Sequence, residues 1–542
     1  VEKVITRSGL AAEAGGHWPL INYDGVTMLK AICKGGWAIL FASAGWGQAA
    51  PVMTADGAVA GQRQAGVHVY RGIPFALPPL GALRWRPPQP PAPWQGVRDA
   101  SKFAPACMQQ GVSIPGETAS SVSEDCLYLN VWAPPRRTGQ HLPVIVWIHG
   151  GGYTNGSASM PLYHGDRLAR KGVLVVTVAY RLGALGFLAH PALSAESPQR
   201  SSGKYGLMDQ IAALEWVQRN IAAFGGDPKR VTVAGQSAGA MAVSALLASP
   251  RAQGLFQRAI AQSGGIFEPL QLAPGYLLAN AERDGAGYMA SLGATTLEAM
   301  RMLPAERLVG SNAVSHPVIE PDVLPLSPYD AYVRGRFHDV PLLIGSNSEE
   351  ARALVDVTKV SADRFETDIG ASFGALPPAL LAAYPHATDA QAREARLAFE
   401  RDLRFGWDMW AWARLAQAGR SPVYYYSFEQ RPPFPADSVH AGWGASHFAE
   451  LWYMFDHLGQ APWAWRGGDR ALAAAMSGYW VRFAAAGDPN GKGLPHWPAF
   501  RGAAGQVQRL GDSIGPGPVP ALEQLQVFDA VYAGLRGRPF GD

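Results

Sequence analysis

Two serines in this sequence sit in the pattern Gly-x-Ser-x-Gly. Ser237 lies in "VTVAGQSAGAMAV" (231–243) and Ser372 in "GASFG" (370–374). In a chain this rich in glycine, chance alone yields roughly 0.4 such matches, so the pattern by itself decides nothing. The chemistry at stake is attack on a carbonyl carbon. A serine hydroxyl is a weak nucleophile, so it needs a base to take its proton and donors to hold the oxyanion that forms. It must also stand on a strand that turns sharply into a helix, which exposes the hydroxyl.

The elements around the two serines separate them. Short runs rich in β-branched and aromatic residues predict strands at "VHVYRGIPF" from Val67, "PVIVWIHG" from Pro143, "VLVVTVAY" from Val173, "VTVAG" from Val231, "PLLIGSN" from Pro341 and "PVYYYSF" from Pro422. Between the third and fourth, Ile211, Leu214, Val217, Ile221 and Phe224 recur at helical spacing, and Gly225 caps the end. Strands alternating with helices predict an α/β fold whose mainly parallel sheet is covered on both faces. Ser237 follows a buried strand and precedes the small-residue helix "AGAMAVSALLAS". Ser372 follows "RFETDI" and precedes "ALPP", which stops a helix, so it is expected in a loop or at a helix terminus.

The other groups follow from the same frame. "WIHGGGY" (147–153) comes after a strand and offers unobstructed backbone N–H groups, so Gly151, Gly152 and Ala238 are the expected oxyanion donors. A phosphate cradle is disfavoured, because no Gly-Lys-Ser/Thr follows. The order nucleophile, acid, histidine places the acid in "LLIGSNSEEA" and the base late in the chain. Glu350 is favoured over Glu349, which is read as a solvated loop charge. His447 is favoured over His440, although the residues alone leave that choice open.

Composition narrows the rest. The 46 basic and 43 acidic residues nearly balance, and no basic block indicates nucleic-acid binding. No apolar run reaches the roughly 18 residues that span a bilayer. From Met28 the sequence reads "MLKAICKGGWAILFASAGWGQAAP", with lysines, an apolar stretch and then small residues: a secretory signal over 28–50. The expected organisation is therefore an upstream extension at 1–27, a signal, and one catalytic domain at 51–542, secreted or periplasmic. Cys33 leaves with the signal. The remaining Cys107 and Cys126 are expected to pair in an oxidising compartment, and they form no metal site.

In order along the chain, "YRGIPFALPPLGALRW", "SEDCLYLNVWAP", "HGGGY", "VAYRLGALGFL", "VTVAGQSAGA", "LFQRAIAQSGG", "SNSEEA" and "ASHFAELWYMF" resemble the type B carboxylesterases, a family that includes the cholinesterases. The resemblance runs from about Ala55 to about Asp529. It implies the α/β-hydrolase fold with large cap insertions and a Ser237, Glu350, His447 triad. It also implies the same three oxyanion donors, the Cys107–Cys126 disulfide, and ion pairs of Arg84 with Glu124 and of Arg181 with Asp209. Ser263 corresponds to a serine beside the acid. The sequence departs from the family at Gln236, where glutamate is usual, at Ala351, where glycine is usual, and at Lys204, where asparagine is usual.

The resulting expectation is a hydrolase of small-molecule carboxylic esters that works through an acyl-enzyme and needs no cofactor. An amidase or lactonase using the same triad is the alternative. A non-catalytic adhesion protein on this fold is remote, because every catalytic role has a residue. The insertions at about 267–339 and 355–420 are expected to build the cap and pocket walls, with their aromatics mostly in the core.

Overall fold

A computed structural model describes residues 47–542 except 113, 115–120, 136–138, 140, 312–313 and 374–376. The expected extension at 1–27 and most of the expected signal lie outside the described residues. The last residues of that signal do not: Gly47–Gln48 pair with Gln62 and Arg63, and the buried Ala49 donates its N–H to the Gly61 carbonyl.

One twelve-stranded sheet organises the chain. Its strands are β1 (Gly47–Gln48), β2 (Gln62–Gln64), β3 (Val67–Pro74), β4 (Tyr128–Ala133), β5 (Leu142–Ile148), β6 (Leu174–Val178), β7 (Gly226–Gln236), β8 (Arg258–Gln262), β9 (Leu342–Asn347), β10 (Val423–Phe428), β11 (Val507–Leu510) and β12 (Ile514–Gly517). They lie in the order 1-2-3-4-6-5-7-8-9-10-11-12. Strands β6 through β11 pair in parallel, and the flanking pairs at both edges are antiparallel. The structure thus has the mainly parallel α/β-hydrolase architecture.

Each central strand is apolar on both sides because both faces are covered. Along β5, Val144, Val146 and Ile148 join the core beneath helices α1 (Tyr205–Asn220), α2 (Ala238–Ala248) and α3 (Trp407–Ala416). Ile145 and Trp147 point the other way, into a second core under helix α4 (Gly467–Ala486). Helix α1 continues as a 3-10 turn to Phe224, and Gly225 ends it at φ 93°, a left-handed cap that a side chain disfavours.

All six predicted strands form. Two central strands gave no clear signal. In β8, "RAIAQ" is alanine-rich and flanked by polar residues. In β4 the buried Asn130 interrupts the apolar run, yet its side chain accepts the Gly72 N–H (3.0 Å) and donates to the Ala158 carbonyl (3.2 Å) and Thr177 Oγ1 (3.0 Å).

The predicted scaffold contacts also form. Cys107 and Cys126 are joined by a disulfide. Arg84 clamps Glu124 through Nε (2.8 Å) and Nη2 (2.5 Å), and Arg181 clamps the buried Asp209 through Nε (2.8 Å) and Nη2 (2.7 Å). Lys204 is buried because it pairs with Glu320 (3.1 Å) and Asp322 (2.9 Å). Among the described residues, no helix is long and apolar enough to cross a membrane.

Candidate active site

Ser237 is the single residue between β7 and α2. Its backbone sits at φ 57° and ψ −127°, a conformation that costs about 1–3 kcal/mol for a residue with a Cβ. The flanking glycines make the turn possible. A Cβ on Gly235 would stand 2.4 Å from the Gly239 carbonyl, and one on Gly239 would stand 2.1 Å from the Ile148 carbonyl. The turn is tied down by the Ser237 N–H, which donates to the Gln262 carbonyl at 2.9 Å. Ser372, in contrast, lies at the end of helix Phe365–Phe373, as its sequence context predicts.

Glu350 opens a 3-10 turn just beyond β9 and is fully buried. Its Oε1 accepts the Asn347 N–H at 2.8 Å, and its Oε2 accepts the Nδ1–H of His447 at 2.6 Å. The imidazole is further fixed by Phe405, whose ring stacks on it at 4.5 Å, and by the His447 N–H, which bonds the Glu350 carbonyl at 3.3 Å. Ala351 has an ordinary negative φ, so the missing glycine costs nothing there.

Glu349 is not the solvated charge its sequence context indicates. It bonds Arg352 (2.7 Å) and Arg431 (2.6 Å), and its Oε2 accepts the Ala445 N–H at 2.9 Å. Burial raises its carboxyl, but the Ala445 amide and the two guanidinium groups outweigh this and hold it below the usual value. Glu349 therefore fastens the acid turn to the histidine loop. The motif could not reveal this, because Arg431 and Ala445 lie 82 and 96 residues away. His440 packs instead in an aromatic cluster, stacked on Phe434 and edge-on to Trp443 and Trp463.

A buried polar layer behind Glu350 escaped the sequence reading. Glu450 accepts Asn347 Nδ2–H (2.6 Å) and Gln262 Nε2–H (3.1 Å), and Gln262 in turn accepts the Trp480 indole N–H (2.9 Å). Burial and then the charge of Glu350 push the Glu450 carboxyl up to about 7, against the lowering effects of Asn347 and His447. No local spacing signals it: His447–Glu450 is a non-helical turn with Phe448 at φ 74°, so the glutamate and the histidine share no helical face. Ser263 is buried at φ 54°, and its N–H bonds the Gly345 carbonyl, but its hydroxyl makes no hydrogen bond among the described residues. Gln236 is buried beside His447, with Nε2 donating to His447 Nε2 at 3.2 Å.

Gly151 and Gly152, at φ 113° and 60°, carry the loop after β5 toward Ser237. A Cβ on Gly151 would stand 2.1 Å from the Asn155 carbonyl. Beneath the loop, burial pushes His149 down to about 4, so its neutral ring donates from Nδ1 to the Gly150 carbonyl at 2.9 Å. Gly151, Gly152, Ser237, Ala238 and His447 all line one cavity of about 630 Å³. The backbone N–H of Ala238 belongs to the first turn of α2, where amides lack helical partners. Val112, inside the loop closed by the disulfide, forms part of the cavity wall. The cap tryptophans Trp407, Trp410 and Trp412 are core residues as expected, whereas Phe405 and Asp408 of the same segment face the cavity.

The profile of the carboxylesterase family matches residues 48–516, which include every element of this cavity except Tyr532. The chain belongs to the carboxylesterase family. Among curated relatives, it is similar to fumonisin B1 esterase of Sphingopyxis macrogoltabida, with 39% identity over 86% of this chain and 87% of the relative. It is also similar to para-nitrobenzyl esterase of Bacillus subtilis (strain 168), with 34% identity over 83% and 92%. Among solved structures, a carboxylesterase of Geobacillus stearothermophilus superposes with a TM-score of 0.77 at 33% identity, covering 88% of this chain and 99% of that one. The esterase is thus a carboxylic-ester hydrolase on an α/β-hydrolase fold.

Proposed function

We propose that ester hydrolysis proceeds by a Ser237–His447–Glu350 triad through an acyl-enzyme. The observation that carries this reading is the 2.6 Å hydrogen bond from His447 Nδ1 to the buried Glu350, at the wall of a cavity that Ser237 also lines. Glu350 holds the proton on Nδ1 and leaves the Nε2 lone pair free to act as base. Ser237 attacks the ester carbonyl as His447 takes its proton. The amides of Gly151, Gly152 and Ala238 hold the oxyanion. His447 then protonates the leaving alcohol, and water, activated by the same base, releases the acid. Gln236 is displaced from Nε2 when Ser237 engages it. Ser263 supports this centre through its backbone, whose N–H bonds the Gly345 carbonyl.

Intact-protein mass spectrometry after exposure to an alkyl fluorophosphonate tests the assignment. One phosphonyl adduct on Ser237, absent from Ser237→Ala, supports it; an adduct elsewhere with retained activity in Ser237→Ala overturns it. Assaying an ester beside its matched amide separates ester hydrolysis from the amidase alternative, since the triad alone serves both leaving groups.

We further propose that the chain is exported after cleavage between Ala44 and Gly45. The strand pairing of Gly47 and Gln48 supports a cut before these residues rather than after Ala50. Sequencing the N-terminus of secreted enzyme checks this, and a start at Pro51 would refute it.

A further inference from the structure

The cavity carries two carboxyl groups that the reaction at Ser237 does not use. Glu268, on the loop after β8, and Asp408, in the first turn of α3, both line it. Asp402–Gly406 forms a π-helical turn directly before α3. Such turns insert an extra residue into a helix and re-aim the side chains around it. Here Leu403, Arg404, Phe405 and Asp408 all reach the cavity. Gly265 also lines the cavity, close to Asp408: a Cβ there would stand 2.8 Å from the Phe267 ring and 3.4 Å from Asp408 Cβ.

Among the described residues, one cation, Arg536, acts on both carboxyls without forming an ion pair with either. Asp408 is 5% exposed, and neither acid has an ion-pair partner within 4 Å among the described residues. Among the described residues, Glu268 Oε2 is shielded and has no hydrogen-bond partner. The guanidinium of Arg536 is already engaged, donating to the Phe267 carbonyl and lying 3.7 Å over Tyr329 and 5.2 Å over Trp407. The other titratable groups that face the pair are the phenols of Tyr153, Tyr276 and Tyr532, with Arg404 and His447 elsewhere on the cavity wall. The Tyr153 hydroxyl is likewise buried without a hydrogen-bond partner.

We propose that Glu268 and Asp408 form a recognition site for a primary alkylammonium group, so that the esterase favours esters carrying such a cation. Burial raises Glu268, against a hydrogen bond from Tyr276 and the charge of Arg536. Burial and then the Glu268 charge push Asp408 well above the usual carboxylate range. Two desolvated acids that share one guanidinium beyond ion-pair distance hold a proton more tightly than free carboxyls do. An ammonium supplies the missing charge and three N–H donors, and the retained proton leaves to solvent. Met241, Leu272 and Leu403 provide an apolar wall for the attached chain. Binding therefore strengthens as pH rises and the pair gives up its proton, until the amine itself deprotonates near pH 10.

This inference rests on the cavity being the ester site, and two readouts keep the failures apart. The first is inhibition of p-nitrophenyl butyrate hydrolysis by hexylamine against 1-hexanol. Hexylammonium should compete at least about tenfold more tightly, and its Ki should fall as pH rises while that of hexanol stays level. In the double variant Glu268→Gln/Asp408→Asn the amine-to-alcohol ratio should fall to within about twofold. The second readout is calorimetric titration of Ser237→Ala with hexylamine, which detects binding without turnover. Equal Ki values in the wild type, a pH-independent ratio, or a ratio retained in the double variant would overturn the proposal. If the double variant does not fold, the wild-type ratio and its pH dependence decide. Absent turnover with amine binding intact would instead count against the triad.

Discussion

Replacing Glu350 by glutamine leaves size and shape almost unchanged, so its effect isolates the carboxylate. Two orientations are open to the new amide. If its oxygen keeps the Asn347 N–H, which Glu350 Oε1 accepts at 2.8 Å, the NH2 group faces His447 Nδ1. The imidazole must then move its proton to Nε2, where it can no longer accept from Ser237. If the amide flips, its NH2 opposes the Asn347 N–H inside a fully buried turn, and this unsatisfied donor costs about 1–3 kcal/mol. Either way the charge that stabilises the imidazolium is gone. The expected loss is about 10³- to 10⁴-fold in kcat, about 4–5.5 kcal/mol of transition-state stabilisation, with KM little changed. Steady-state kinetics on p-nitrophenyl butyrate measure it. Glu349→Gln is the control: its amide oxygen can keep the Ala445 N–H, and the lost pair with the largely exposed Arg431 contributes at most about 1 kcal/mol of stability. Retention of kcat within about tenfold in Glu350→Gln, or an equal loss in both variants, would refute the reasoning.

Ser372→Ala should keep wild-type kcat/KM, whereas Ser237→Ala should lose several orders of magnitude with an unchanged melting temperature; loss of activity in Ser372→Ala would contradict the elbow assignment. Glu450 provides a pH test. Its carboxyl is raised to about 7 in the fold from about 4.3 when unfolded, so the folded state binds the proton more tightly. The stabilisation is complete below the unfolded value and is lost as pH rises through about 7. Relative to Glu450→Gln, the wild type should lose about 3 kcal/mol between acidic and mildly alkaline pH; chemical denaturation at several pH values checks it, and a constant difference would argue against the buried proton. Breaking the Cys107–Cys126 bridge by double serine replacement should cost about 3 kcal/mol for a loop of this length and raise KM through Val112, as thermal denaturation and kinetics would report.

Local sequence determined the turn that carries Ser237, the proposed nucleophile. A buried strand, two glycines and a small-residue helix around Ser237 can fold into only one sharp turn, so backbone sterics within about a dozen residues fix its exposure. The same holds for the helix over Tyr205–Asn220 and its Gly225 stop, where apolar spacing and a cap residue are themselves local. The choice of Glu350 and His447 needed the ordered set of motifs, because a single acid or histidine carries no mark of its partner.

What only the tertiary structure decided were the contacts between distant segments. Glu349 reads as a loop charge until Arg431 and Ala445 arrive beside it. Nothing in the sequence marks Glu450, which acquires its role only when β8 and β9 bring Gln262 and Asn347 against it. Asp408 and Glu268 lie 140 residues apart in sequence, and only the tertiary fold brings both to one cavity, Asp408 just after the π-helical turn and close to Gly265. A charged side chain takes its meaning from solvation and from the charges around it, and both are set by burial that the packed sheet and cap impose.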